Sequence, residues 1–489
     1  MYRTITVGKN QKAIPVLGAY TEDIGKRKNP GVPARLFETF KEGLSRPGFK
    51  ADLGEVAFVG DRLIVVGLGS SDSFKTAQAR RGGARLLKAL ARGNVKAIQF
   101  QKRSDRDDEY TRGIARACAE GMGLANWRLQ GFDGKATRQT SDHGKLTIDA
   151  ARPSARTALK EGLRLAEAEN EARRIADTPP NICNPTWMAS EARKLARRNG
   201  LTCRVIGYSK AVEMGMGGIA NVGVGSKHKP CLIQLSYTPK KKSKAAKDAH
   251  LVLVGKTITY DTGGYSLKIS NSMRGMKFDM CGGAAVFGAM QAIAAANLPI
   301  KVTALLPTAE NMVSDVAYRP DDIITLYNGV TVEVTNTDAE GRLVLGDALA
   351  YACKRLKPTA IVDMATLTGG VVVALGNFSA GMWCNDDAFR GHLETASEHA
   401  DERVWRMPLW DEHREFMRSR NADILNSNPK RLAHPIQGAA FLSFFVDEKV
   451  PWAHVDIAGM SNLEGNEVTG SGPTGYGVRM LYELANEMS

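Results

Sequence analysis

The 489-residue chain reads as an α/β protein, with a small N-terminal α/β domain joined by a helix to a larger α/β domain built on a central, mostly parallel or mixed sheet. Three observations predict this. Short apolar runs such as "RLIVVGLG" and "LVLVG" alternate with longer helical stretches along the whole length. An Ala/Glu/Arg/Leu-rich helix from Ala155 to Ile175 ends at "DTPPN", where two prolines stop it and stiffen the chain. Composition, 43% hydrophobic and 24% charged, is that of an ordinary globular protein. The boundary therefore falls within the helix, giving residues 1–165 and 166–489 as the two domains.

In the first domain "RLIVVGLG" is a buried strand, "SFKTAQARRGGARLLKALA" a helix with a basic face, and "KAIQF" another short strand. The "GLGSS" turn is an incomplete nucleotide fingerprint and reads as a tight strand-to-helix turn. A second strand–helix series fills the rest, interrupted by a solvated basic loop at Pro239–Asp248. Within it, "GVTVEVT" reads as a buried strand that runs into "NTDAEGRL" (Asn336–Leu343). There is no internal repeat.

Seven scattered cysteines without a CxxC pair suit a reducing compartment, and "MYRTITVGKNQK" lacks the apolar core of a signal peptide. The most apolar runs are broken by Gly, Asn, Gln or Thr, so buried segments are expected and no membrane span. A cytoplasmic location follows from these readings. The net charge of +14 is uneven: residues 1–150 hold 27 Lys and Arg against 16 Asp and Glu, a balance of +11. The plain reading is a solvated surface. The sharper one is weak DNA binding through "GKRK" (Gly25–Lys28), "ARRGGARLLK" (Ala79–Lys88) and "QKR" (Gln101–Arg103).

Several catalytic devices are excluded. No histidine sits in HExxH, there is no GxSxG elbow, and "VGKTIT" has His250 where a phosphate loop needs glycine. What remains is "LVLVGKTITYDTGGYSLK" followed by "MKFDMCGGAA", which bring Lys256, Asp261, Lys268 and Asp279 into loops after core strands. Asp338 and Glu340 add two more acids. Each acid alone could cap a helix or shape a turn. Four together need compensating positive charge, which two lysines and Arg342 supply in part and a pair of divalent cations would supply in full.

These motifs, with "PPNICNPT" and "DMATLTG", resemble the signature of the leucine aminopeptidase (cytosol aminopeptidase) family over about residues 170–489. The resemblance implies a metallo-exopeptidase of cytoplasmic, homohexameric kind that removes the N-terminal residue of peptides bearing a free amine. It makes residues 166–489 the catalytic peptidase domain. It implies two divalent metal ions per subunit, Zn or Mn, with Mg or Co in exchange. Asp261, Asp338 and Glu340 would hold the more exchangeable ion; Lys256, Asp261, Asp279 and Glu340 would hold the other. Lys268 would stabilise the oxyanion and Arg342 would hold a bicarbonate base. Met276 matches a pocket methionine, and Pro473 stands where relatives carry a longer pocket residue, which leaves the preferred N-terminal residue open.

Overall fold

The computed structural model describes every residue except 130, 133, 137–141, 242, 244, 245 and 247. The basic loop at Pro239–Asp248 therefore lies partly outside the described residues. The chain divides into two compact units: Met1–Asn170 with Glu464–Gly470, and Glu171–Leu463 with Ser471–Ser489. The long helix is slightly longer than its sequence reading, Pro153–Asp177, and the division falls inside it. The excursion at Glu464–Gly470 has no sequence signal that sets it apart.

Among its described residues the first unit holds six strands: β1 Thr4–Val7, β2 Ile14–Tyr20, β3 Val56–Val59, β4 Leu63–Gly69, β5 Ala97–Phe100 and β6 Lys145–Ala150. Their order is β1-β6-β5-β2-β4-β3, and only the β3–β4 pair is antiparallel. Side chains alternate across this sheet. Ile64 and Val66 pack with Leu86 and Leu90, whereas Leu63 and Val65 pack with Phe40 and Val59 on the other face. Helix α1 (Phe37–Leu44) covers the second face. Helices α2 (Thr76–Arg92) and α3 (Asp108–Ala125) pack together backbone to backbone, because a Cβ on Gly83 would collide with the Cys118 carbonyl. The "GLGSS" turn is held internally: Glu22 accepts hydrogen bonds from Ser70 Oγ at 2.8 Å and Ser71 N at 3.2 Å. A carboxylate thus stands where a nucleotide loop would meet phosphate.

In the second unit the main sheet takes β7 Thr202–Gly207, β8 Cys231–Tyr237, β9 His250–Gly255, β10 Thr257–Asp261 and β11 Lys301–Asn311. After the short β12 Ile323–Thr325 and β13 Thr331–Glu333, it adds β14 Ala360–Ala365, β15 Ala380–Cys384 and β16 Val404–Arg406. The two-residue β17 Ile424–Leu425 precedes β18 Trp452–Asp456. The order is β16-β15-β18-β14-β9-β11-β8-β7, with β10 paired to β11. Its centre, β18-β14-β9-β11, is parallel, and the outer pairs β15–β18, β11–β8 and β8–β7 are antiparallel. The central strands are apolar on both faces, as burial between helices demands; Val252, Val254, Leu305 and Ile361 are fully buried.

The "GVTVEVT" stretch corrects its sequence reading. Only Thr331–Glu333 form a strand, and it lies in a small side sheet with β12 and β17, outside the main one. Val334 N still bonds Asp322 O in the register of β12, but Thr335 N turns to the Asn426 side chain and ends the ladder. Asp338 and Glu340 therefore arrive from beside the main sheet, not from the end of one of its strands. Among the described residues no helix is long and apolar enough to cross a membrane, and all seven cysteines are free.

Candidate active site

Parallel strands end at the same edge, and that edge is where an open α/β sheet gathers a site. Strand β9 ends at Gly255 and hands over Lys256; β10 ends in Asp261; β11 ends in Asn311; β14 runs into Thr366. Asp279 lies two residues before the helix Cys281–Ala296, and Glu340 opens the helix Glu340–Tyr351. Six of the seven residues expected from the sequence meet here, and Arg342 stands slightly apart, two residues along the same helix from Glu340.

Lys256 is at the centre. Its Nζ donates to Asp279 Oδ1 at 2.7 Å and to the Thr366 carbonyl at 3.0 Å, and lies 2.9 Å from Glu340 Oε1. Lys268 Nζ lies 2.9 Å from Asp261 Oδ2 and 2.5 Å from Asp338 Oδ1. Asp261 Oδ1 accepts from Asn311 Nδ2 and from Gly263 N, both at 2.8 Å. Two lysines thus thread four acids. The arrangement needs glycines at two points: Gly341 passes so close to Lys256 that a side chain there would overlap it, and Gly263, at φ +86°, lies against Asp338.

The charges do not balance. Burial, followed by repulsion from Glu340, pushes Asp261 up to about 6. Burial also holds Asp279 well above the carboxylate range and raises Asp338. Burial opposes ionisation of Glu340 as well, but the two lysines outweigh it and draw its pKa down. For Lys256 burial disfavours the ammonium, yet Asp279, Glu340 and Asp261 more than compensate and raise its pKa. More negative than positive charge is concentrated than the lysines can neutralise.

Unfilled bonding capacity points the same way. Asp279 Oδ2 and Glu340 Oε2 are buried without a hydrogen-bond partner. Asp261, Asp338 and Glu340 each offer a carboxylate oxygen within 4.8 Å of the others. Hard oxygen donors, crowded, buried and partly unsatisfied, fit divalent cations. Arg342 is buried; its Nη1 donates to the Asn426 carbonyl at 2.8 Å while Nε has no partner. Burial lowers its pKa to about 10, and a bound anion would restore the lost solvation.

The cluster forms the floor of a cleft of about 800 Å³, large enough for a short peptide. Met276 lines this cleft, as expected. Pro473 does not: it is buried elsewhere, with its carbonyl accepting from Arg173 Nε at 3.0 Å, so the expected link between Pro473 and the pocket is withdrawn. Sequence reasoning missed Asn311, which orients Asp261, and Thr366, whose hydroxyl donates to Asp279 Oδ1 at 2.8 Å. It also missed Arg431 and His434 on the cleft wall. Their loop is strained, with Arg431 and Ala433 in left-handed backbone at φ +56° and +49°. Burial and the nearby Arg342 and Arg431 lower the His434 pKa. The signal available for Thr366 was its place in "DMATLTG"; for His434 there was none.

A two-unit α/β chain with a buried cluster of oxygen donors at the carboxyl edge of its larger sheet falls among α/β proteins with a candidate metal site there. Comparison with known proteins is specific. The family model "Cytosol aminopeptidase family, catalytic domain" matches residues 170–482, and "Cytosol aminopeptidase family, N-terminal domain" matches residues 31–135. The chain belongs to the cytosol aminopeptidase family, and is a peptidase. A "Probable cytosol aminopeptidase" of Solibacter usitatus (strain Ellin6076) is 42% identical over 426 residues, covering 87% of this chain and 86% of the relative. One of Aquifex aeolicus (strain VF5) is 36% identical, covering 96% and 98%. Among solved structures, a tomato leucine aminopeptidase mutant (K354E) superposes with a TM-score of 0.84 at 30% identity, covering 99% of this chain and 96% of that one. The bottromycin maturation enzyme BotP in complex with Mn gives 0.82 at 34%, covering 96% and 98%.

Proposed function

We propose that this chain is a metal-dependent aminopeptidase that releases the N-terminal residue of peptides. The observation that carries the reading is the crowded set of Asp261, Asp279, Asp338 and Glu340, two of them with orphaned buried oxygens, threaded by Lys256 and Lys268. Asp261, Asp338 and Glu340 would hold one divalent ion, and Lys256, Asp261, Asp279 and Glu340 a second. The Mn complex of a structural neighbour supports manganese, with zinc as the other candidate and magnesium or cobalt in exchange. When bound, such ions supply Lewis acidity, activating a water and polarising the scissile carbonyl.

The chain's own groups do the rest. Lys268, only partly buried and facing the cleft, donates to the oxyanion that develops on the substrate carbonyl. Lys256, to act as a ligand, would have to lose a proton to solvent and become the neutral amine, which the carboxylates around it resist until positive charge arrives. The Arg342 guanidinium, with Nε free, is suited to hold a bicarbonate ion as proton acceptor beside the cleft.

A homohexamer in the cytoplasm completes the reading. Free cysteines support the compartment, and exposed apolar side chains such as Val373, Phe378 and Trp405 offer surface for assembly. DNA contact stays outside the proposal, because the basic residues of Ala79–Lys88 have partners. Arg80 pairs with Glu120, Arg81 with Glu467 at 2.8 Å, and Arg85 with the same glutamate. The direct test is metal analysis of the purified protein. Two equivalents of divalent metal per chain, lost together with activity on chelation and restored on reloading, are expected; full activity in a metal-free sample would overturn the assignment.

A further inference from the structure

The N-terminal unit contains a second, partly open hollow, of about 140 Å³, between its sheet and helices α2 and α3. Val16, Val66 and Leu68 line it from the strands, Leu86 from α2, and Ile114 and Ala115 from α3. Lys102, Arg103, Arg106 and Arg152 line it as well, and no acidic residue does. This includes part of the basic "QKR" stretch that the peptidase reading leaves without a role.

Three of the four cations are already matched. Arg103 pairs with Asp23 at 2.5 Å and Asp105 at 3.0 Å, while Lys102 and Arg152 share Asp108 at 2.8 and 2.9 Å. Arg106 makes no ion pair among the described residues, and its Nε is buried without a hydrogen-bond partner. Its guanidinium carbon lies 5.2 Å from the Tyr20 ring centre and 4.9 Å from that of Tyr110. The two tyrosine hydroxyls are turned to each other at 3.2 Å. An aromatic-flanked guanidinium without an ion pair therefore lines an apolar hollow.

We propose that this cavity binds a small monocarboxylate whose body is a single ring or a short branched chain. The size argues for it: an apolar cavity of roughly 150 Å³ accommodates a benzene-sized guest. The charge argues for an anion, since the Arg106 guanidinium lines the hollow without an ion pair among the described residues and every charged side chain lining it is positive. A free amino acid is disfavoured, because no acidic side chain lines the hollow to receive its ammonium, the nearby aspartates being taken up by Lys102, Arg103 and Arg152. The site is thus not a product-binding copy of the catalytic cleft.

Titration calorimetry on the full-length, metal-loaded protein tests this with sodium benzoate, benzyl alcohol, acetate and benzylammonium. Benzoate should bind once per chain, about tenfold tighter than benzyl alcohol, the scale of one charge-assisted hydrogen bond. Acetate should be weaker still, and benzylammonium should not bind. Arg106→Leu should erase the preference for benzoate over benzyl alcohol, and Ala115→Leu, which fills the hollow, should abolish binding of both. Lys268→Ala should leave benzoate binding intact. No benzoate binding at millimolar concentration, binding unchanged by both Arg106→Leu and Ala115→Leu, or binding lost in Lys268→Ala would each overturn the proposal.

Discussion

Gly341 lies so close to Lys256 that a β-carbon on it would overlap Cε and come within 2.6 Å of Nζ. The glycine of "NTDAEGRL" is therefore the gap through which the lysine reaches Asp279 and Glu340. Gly341→Ala should displace Lys256 and destabilise the protein by about 1–3 kcal/mol, the usual cost of overpacking. Metal content and melting temperature measured together check this. A variant with parental values of both would mean that the lysine does not depend on that gap.

The two lysines should fail differently. Lys256→Ala removes a proposed ligand and should lower retained metal. Lys268→Ala should keep metal and lose about 10²–10³ in kcat, the scale of one oxyanion donor. Metal analysis beside steady-state kinetics separates the two; an unchanged kcat in Lys268→Ala would remove that residue from the chemistry.

A buried histidine gives the catalytic unit a pH-dependent stability. His454 Nδ1 lies 2.6 Å from Asp363 Oδ1, with the ring stacked on Trp383 at 5.4 Å. Burial disfavours the imidazolium, but Asp363, aided by Asp456 and opposed by Arg342, raises its pKa above the ordinary value. A raised folded-state pKa means stabilisation that is complete below about 6.5, the unfolded value, and lost as pH climbs through the folded one. The stability margin of the parent over His454→Gln should therefore narrow between about pH 6 and pH 9. Urea unfolding at both values measures it, and a margin independent of pH would contradict the ion pair.

The basic clusters of the N-terminal unit should bind duplex DNA weakly at most. Arg80, Arg81 and Arg85 are engaged by carboxylates, which leaves the exposed Gly25–Lys28 cluster as the main candidate for phosphate contacts. Anisotropy titrations at low and physiological salt decide it: binding that persists at physiological salt would show that these arginines exchange their partners for phosphate.

Much of the site was legible because its residues lie in short, tightly spaced motifs. Lys256, Asp261 and Lys268 share one strand–loop, and Asp338, Glu340 and Arg342 one bend. What stayed hidden depends on chain segments far apart in sequence. Asn311 reaches Asp261 across fifty residues, Thr366 reaches Asp279 across eighty-seven, and Gly341 meets Lys256 from another helix. The alternating α/β pattern was equally readable, since periodicity is local. The short side sheet was not, because β13 pairs with β17, some ninety residues on, and nothing in "GVTVEVT" records that partner.

The protein proposed here is a free-amine-dependent, metal-dependent peptidase. It is tested most directly by following one peptide in two forms, with a free and with an acetylated N-terminus, on protein stripped by chelator and then reloaded with Mn²⁺. Hydrolysis of the free peptide alone, at its first peptide bond and only after reloading, is the expected result. Comparable cleavage of the acetylated peptide, or undiminished cleavage by the stripped protein, would contradict it.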